Sequence, residues 1–453
     1  MSIDLDQFYD GKKFLHDRMG DYIIEKYHVK RIINENLLDG EPPHNVDIYY
    51  FNDKTKNYDP FIKAECNRLI ISIDKELKSN ARKEVWEYIK SIADEYFLTD
   101  IHIIGCNNCL INLKTGEVLK KTPDTVLTTY IPVTYNPNTL AHETLDTFMN
   151  NLFGDDVEMH RFIYQIIAYG LWPENHLQKF FILFGEGGNG KSTFLKLLEW
   201  FYGRKNISVL SLINFSDDKY IGGLYGKLVN IGDDIESGTI LESAVLKKTV
   251  SGDPVHANPK FGLMFAFQVT QKLLFSSNAV PRITDTSQGM ADRLIVIPFL
   301  QRIRGTSTAE PNIIKSIVDS GGLSVLLNRA LKEVPNIIKG IKIPTIVQEA
   351  TQQHMINTNP VALFVEDMNS NGWNLDTGSG FDELAKRYTI DELTTTQVFN
   401  LYKEWCKDKG HRPLADNSFG RELKRLGYER IQCGNGLLRG KRVYKQIINV
   451  PSL

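Results

Sequence analysis

The sequence predicts an α/β protein in which a mainly parallel sheet carries a phosphate-binding loop. A small α+β module precedes it and a helix–helix–hairpin unit follows. Three observations lead there. Residues Lys179 to Leu198 read KFFILFGEGGNGKSTFLKLL, an apolar strand, a glycine-rich turn and an amphipathic helix in immediate succession. Three further apolar runs, Lys227 to Asp234, Gln271 to Asn278 and Leu294 to Phe299, follow at strand length, the first two with polar ends. The last 60 or so residues alternate helix-period and strand-period patterning around a basic surface.

Composition bounds the rest. Over 453 residues, 42% hydrophobic and 24% charged is ordinary globular material, enough for two to four domains and against large-scale disorder. The N-terminus has no basic region leading into an apolar stretch, and no apolar run reaches membrane-spanning length, so a cytoplasmic protein with no membrane partner is expected. Of the cysteines at 66, 106, 109, 406 and 433, only Cys106 and Cys109 form a CxxC. No second pair follows at zinc spacing, so the expectation is reduced, structural thiols. The net charge of −2 carries no information about nucleic acid; the placement of the charges does.

In chain order, residues 6 to 38 carry an imperfect apolar stripe (Phe8, Phe14, Leu15, Met19, Tyr22, Ile23, Ile24) that predicts a helix. Val46 to Phe51 and the run from Tyr58 predict a hairpin about a turn at 52 to 57, followed by helices over about 60–78 and 82–97. Short strands are expected at 101–104, 109–113 and 118–120, the last two joined by the turn Lys114-Thr115-Gly116-Glu117. Prolines at 123, 132 and 137 make the next stretch loop-like, which places a boundary near Asn138 and gives an N-terminal module of residues 1–138. Helices at about 142–152 and 157–171 then lead to the glycine loop.

Gly185-Glu186-Gly187-Gly188-Asn189-Gly190-Lys191-Ser192 fits G-x-x-x-x-G-K-[ST], with Thr193 opening the helix. Glycines let successive N–H groups point inward around a phosphate seated on a helix N-terminus. Lys191 then supplies charge to the β- and γ-phosphates of ATP, and the Ser192 hydroxyl a ligand to Mg²⁺. Strand Lys227 to Asp234 ends in Asp233 and Asp234; at the carboxyl end of such a strand one acid holds the metal, for which Asp233 is the candidate, and the other orients or deprotonates water. Which does which stays open. Asn278, ending the third strand, is placed to hydrogen-bond the γ-phosphate and the lytic water. Arg293, opening the last strand, is a candidate for reaching the nucleotide of an adjacent subunit.

This ordered set, with Leu228-Val229-Asn230-Ile231, Ser251-Gly252-Asp253, Ser277-Asn278-Ala279-Val280-Pro281 and Arg293-Leu294-Ile295-Val296-Ile297-Pro298-Phe299, resembles the superfamily 3 helicases. More closely it is similar to the helicase half of phage, plasmid and poxvirus primase–helicases, including initiators of mobile genetic islands. Asn107-Asn108, Asn112-Leu113, Thr115-Gly116-Glu117, Thr122-Pro123-Asp124 and Tyr135-Asn136-Pro137 resemble the module that precedes the ATPase in that family. The resemblance implies a modified AAA+ ATPase core over residues 139–368, using ATP and Mg²⁺ and assembling as a ring, commonly a hexamer, around single-stranded DNA. It implies movement 3′ to 5′ and an arginine acting in trans, Arg293 with Arg282 as the alternative. It also implies a DNA-gripping hairpin between the acids and the Asn278 strand, which puts Lys260 and Phe261, and less directly His256, on DNA. Many relatives carry a primase domain upstream; none is visible in this sequence, so a separate primase is an expected partner.

Residues 309–368 predict lid helices broken at Pro335 and Pro344, and 369–392, rich in Asn, Gly and Ser, a linker. Residues 393–453 then give helices over 395–409 and 417–426 and a hairpin about Gly434-Asn435-Gly436, an order that suggests a winged helix. Arg421, Lys424 and Arg425 on the second helix, with Arg430, Arg439, Lys441, Arg442 and Lys445 on the hairpin, are candidate phosphate contacts. The function that follows is ATP-driven unwinding of forked DNA during replication. An ATP switch that loads a partner without unwinding is the competing reading.

Overall fold

A computed structural model of the chain describes residues 3–33, 37–39, 48–98, 100–235, 240–241, 244–258, 264–278, 282–283, 288–306, 310–371, 388–411, 413–434, 436 and 438–447. Its centre is a five-stranded sheet of β1 Phe180–Phe184, β2 Ile207–Ser208, β3 Val229–Ile235, β4 Lys272–Ser277 and β5 Leu294–Pro298. The strands lie in the order β2-β3-β4-β1-β5, every pairing parallel.

A sheet covered on both faces needs strands apolar at every position. In β1, Phe181 and Leu183 enter one core cluster while Phe180 and Ile182 enter the other; in β5, Ile295 and Ile297 oppose Leu294 and Val296 in the same way. Helices Glu143–Phe153, Val157–Leu171, Lys191–Tyr202 and Gly322–Lys339 supply the first cluster. The outer edge of β5 is covered by helix Thr345–Thr358, whose Thr351 hydroxyl accepts the Val296 N–H at 2.9 Å, so this edge is not open to pairing.

Before the sheet, the chain departs from the expected pattern. The helix predicted over 6–38 is confined to His16–Tyr27. Tyr9–Asp10 and Lys13–Phe14 form a tiny hairpin ahead of it, and His28 takes a left-handed conformation (φ 47°) behind it. Lys30–Ile33 then runs as a strand. The predicted helix over 82–97 likewise stops at Ile92, and Glu95–Phe97 pairs in parallel with Lys30–Ile33. These elements enclose their own core, with Phe8, Met19, Ile23, Val85 and Ile89 at its centre.

The boundary near Asn138 also moves. The sheet of Ile103–Gly105, Leu110–Asn112 and Val118–Leu119 sends Ile104 and Ile111 into the main cluster, together with Leu113, Ile131 and Val133 from its flanks. Part of the stretch from about 100 onward is therefore core material of the central unit, while Val126 packs with Ile32, Phe51 and Tyr58 of the N-terminal module. Cys106 and Cys109 are buried free thiols in that same cluster, and among the described residues no group of three or more metal-ligating side chains exists.

Between β3 and β4, Pro254–Ala257 and Phe265–Gln268 form the antiparallel hairpin that the resemblance implied. Leu37–Asp39 from the N-terminal segment adds to it as a third strand, Leu37 opposite Phe267 and Asp39 opposite Ala266. Beyond β5, Pro335 lies inside helix Gly322–Lys339 instead of breaking it, because the helix is held by ten buried residues, Val334 and Ile337 on either side of the proline among them. The boundary placed at 368 falls inside helix Pro360–Asn371, whose Val361, Phe364, Val365 and Met368 pack with the C-terminal helices. Residues 372–387 of the expected linker lie outside the described residues. Helices Thr395–Asp408 and Asp416–Arg425 and the hairpin of Tyr428–Gln432 with Arg442–Gln446 follow in the predicted order. No helix among the described residues is long and apolar enough to cross a membrane.

Candidate nucleotide-binding site

All five strands point the same way, so the polar residues that end β1, β3 and β4 gather along one edge. The glycine loop leaves β1 there. Gly188 and Gly190 have φ of +88° and +87°, a region that costs other residues energy, and Gly190 is the residue from which helix Lys191–Tyr202 starts. The space is as restrictive as the torsion. A Cβ at Gly190 would collide with Leu152 Cδ2, so the loop is pressed on the helix behind it.

Lys191 is 4% exposed. Its ammonium donates to Gly185 O at 2.6 Å, Glu186 O at 3.3 Å, Asn189 Oδ1 at 3.1 Å and Asn278 Oδ1 at 2.9 Å. A buried ammonium is tolerated only when it is bonded in this way. Asn189 joins the loop to the neighbouring strand end, its Nδ2 donating to Phe299 O at 2.9 Å. Gly185 N donates to Ser277 O at 3.2 Å, so the loop is tied to β4 as well. Ser192 is exposed at the helix start, where the first N–H groups have no intrahelical partner and the helix dipole favours an anion.

Asp233 and Asp234 lie on β3, one strand removed from β1, and their side chains lie outside the described residues. The main chain there is irregular: Gly232 pairs with Phe275 and Ile235 with Ser277, so one residue is inserted on β3 at the two acids. Such a bulge breaks the alternation of the strand and is a common way of re-aiming side chains beside a site.

Comparison with known proteins bears on this edge and on both flanking units. Residues 13–154 match the family model described as D5 N terminal like, and residues 357–430 the model described as Poxvirus D5 protein-like. Residues 183–293 match a family of unknown function. The chain is 23% identical over 255 residues to the "Putative helicase L207/L206" of Acanthamoeba polyphaga mimivirus, a match covering 51% of this chain and 26% of that one. The matches on both flanks and the helicase-named relative support a phage- and poxvirus-type primase–helicase family.

Two solved forms of the NrS-1 C terminal region have the same fold: the A form apo structure (11% identity) and the apo structure (12% identity). Each has a TM-score of 0.52, with 95% of this chain and 98% of that chain covered. The chain spans about a quarter of the mimivirus relative, and the Poxvirus D5 match begins close to helix Pro360–Asn371, agreeing with the boundary that packing draws.

The remaining residues singled out in the sequence fall elsewhere. Arg293 precedes β5 at the opposite edge of the sheet from its own glycine loop; its carbonyl accepts Phe180 N at 2.9 Å. Its guanidinium donates to Gly289 O at 2.6 Å, Ser251 Oγ at 2.9 Å and Gln178 Oε1 at 3.3 Å. His256 is exposed on the hairpin, whereas Lys260, Phe261 and the side chain of Arg282 lie outside the described residues. At the C-terminus Lys424, Arg439, Lys441, Arg442 and Lys445 are exposed, and Arg421 is exposed beside Ser418. Arg425 instead pairs with the buried Glu422 at 2.6 Å, and Arg430 covers the Tyr444 ring.

Two groups at this sheet escape a reading of the sequence. Lys272 opens β4 fully buried, its ammonium donating to Trp172 O at 2.6 Å and lying over the Tyr169 ring; burial pushes its pKa well below that of an ordinary lysine. The segment Phe299–Thr306 follows the last strand without a motif of its own, yet it returns to the glycine loop: Ile303 N and Arg304 N both donate to Gly188 O. The available signal is two arginines bracketing one isoleucine shortly after the strand.

Proposed function

We propose that this chain is the ATP-hydrolysing, DNA-unwinding motor of a replication helicase, an AAA+ type core with a winged-helix unit behind it. The observation that carries the reading is the 2.9 Å bond between Lys191 and Asn278, the cation of the glycine loop and the amide ending the next strand, at the carboxyl edge of a parallel sheet. The strand order β2-β3-β4-β1-β5 and the hairpin between β3 and β4 support it.

The residues divide the work as follows. N–H groups of residues 187–193 enclose the phosphates of ATP, and Lys191 exchanges its bonds to the Gly185 and Glu186 carbonyls and to Asn278 Oδ1 for phosphate oxygens. Asn278, freed from Lys191 by the same exchange, presents its amide to the γ-phosphate and the attacking water. The donor set of one hydroxyl and adjacent carboxylates suits a hard cation, so Ser192 and Asp233 or Asp234 would hold Mg²⁺, which when bound offsets phosphate charge. Protomers assemble as a homo-oligomeric ring of six. In it Arg293 gives up its bonds to Ser251 and Gly289 to reach the nucleotide of the neighbour. The hairpin tip at Lys260 and Phe261 grips one strand of DNA, and the basic C-terminal hairpin holds the duplex.

The test is strand displacement from a forked duplex with ATP against a non-hydrolysable analogue. Unwinding that requires hydrolysis, is lost in Lys191→Ala and is lost in Lys260→Ala with ATPase retained supports the motor. Hydrolysis without any displacement turns the reading into that of an ATP switch. Normal displacement by Lys260→Ala removes the hairpin assignment alone.

A further inference from the structure

After β5 the chain does not leave the sheet edge. Phe299 N donates to Phe184 O at 2.7 Å and Phe299 O accepts the Asn189 amide, which binds the segment to the end of β1 and to the glycine loop itself. Four residues on, Ile303 N and Arg304 N converge on Gly188 O at 3.0 and 2.9 Å. The segment is thus stitched to the outside of the glycine loop at two points.

That stitching sets two side chains against two different glycines of the loop. Ile303 packs toward the main cluster, its Cδ1 lying 2.8 Å from where a Cβ on Gly190 would stand. Arg304 runs along the loop: its Cβ, Cδ and Nε lie 2.8, 3.6 and 3.7 Å from where a Cβ on Gly188 would stand. Gly188 is therefore needed twice, for its positive φ and because any side chain would displace the arginine stem. The Arg304 guanidinium is exposed, and among the described residues no hydrogen bond or ion pair engages it. Arg293 and Arg329, by contrast, commit their donors to protein acceptors. A stem fixed against a loop that binds phosphate, ending in a planar fork of unused donors, is the arrangement that recognises phosphate oxygens in pairs.

We propose that Arg304 is a nucleotide-binding residue acting within its own protomer, closing on the phosphates held by the glycine loop from the side opposite Lys191. The proposal rests on the nucleotide reading above and deepens it: the loop is served by two cations of one chain, before any arginine arrives from a neighbour.

The experiment titrates ATP, ADP and inorganic tripolyphosphate into the wild-type chain and into Arg304→Ala, Arg304→Gln and Arg304→Lys, with ligand-free thermal midpoints as the folding check. Loss of one charged hydrogen-bonding group raises Kd about 10- to 100-fold. The expected result is that rise for ATP, ADP and tripolyphosphate alike in the Ala and Gln variants, a smaller one in the Lys variant, and unchanged midpoints. Unchanged ATP affinity in both the Ala and Gln variants overturns the proposal. So does weakened ATP with unchanged tripolyphosphate, which assigns the arginine to the base or sugar. A wild-type chain that binds none of the three ligands overturns the nucleotide reading itself, and is told apart because the failure then precedes any substitution.

Discussion

Lys191 Nζ and Asn278 Oδ1 are bonded at 2.9 Å across 87 positions of sequence. The two groups assigned to a γ-phosphate in the proposed function thus satisfy each other in this structure. On the proposed function nucleotide binding would exchange these partners without leaving either group bare, and the bond itself keeps a buried ammonium tolerable at 4% exposure.

Asn278→Ala separates holding nucleotide from cleaving it. Hydrolysis should fall about 10²- to 10³-fold, the usual cost of removing one preorganised donor. ATP affinity should stay within a few-fold of wild type, since the backbone N–H groups and Lys191 remain. Phosphate release and equilibrium binding, measured on the same preparation, check it; a parallel loss in both places Asn278 in loop assembly instead.

Gly190→Ala should cost both stability and nucleotide binding. A φ of +87° costs any residue with a Cβ roughly 1–2 kcal/mol, and the new carbon runs into Leu152 Cδ2. Urea denaturation without ligand and an ATP titration report the two effects. A variant matching wild type in both would show that the loop is free to rearrange.

His354 gives stability a pH dependence. It is 3% exposed beneath Phe184, and burial pushes its pKa down from 6.5 to about 4. The unfolded chain therefore binds the proton more tightly than the folded one, so this contribution is complete above pH 6.5 and drains away as pH falls toward 4. Its limit is roughly 3 kcal/mol. The urea midpoint of His354→Leu should fall less steeply than that of wild type between pH 6.5 and 4; parallel curves would mean that His354 keeps its ordinary pKa.

The basic surface of the second C-terminal helix and the hairpin should account for the salt dependence of duplex binding. Replacing Lys424, Arg439, Lys441 and Arg442 together by Ala should flatten the slope of log K against log salt by about 0.9 for each phosphate no longer neutralised. Arg425→Ala is the contrasting variant. Its partner Glu422 is 6% exposed, so the loss falls on folding, by about 1–3 kcal/mol, with the slope kept. An unchanged slope in the fourfold variant moves the duplex contact off this unit.

How much of the fold and site is legible in the sequence follows from the range of the forces involved. The glycine loop, its strand and its helix are legible because the restraint on each is local: a torsion at Gly190, an apolar run at Phe180–Phe184. The parallel strands are legible for the same reason. The stretch 6–38 is not, because its apolar spacing suits a helix while the chain is turned at His28 and then recruited as a strand by Glu95–Phe97, a partner far along the sequence. Pro335 misleads because tertiary burial outweighs a local penalty. Arg304 stays silent because what gives it meaning is Gly188, and nothing in the spacing of the two residues announces that they meet.

The strand Leu37–Asp39, lent by the opening segment to Phe265–Gln268, makes the N-terminal unit and the central unit structurally interdependent. A chimera that grafts an unrelated leader onto this central unit leaves the Phe265–Gln268 edge with unsatisfied peptide groups, an invitation to self-association. Such swaps should yield oligomers joined at the wrong surface, and natural recombination within this lineage should favour crossover points that transfer both partners in one piece.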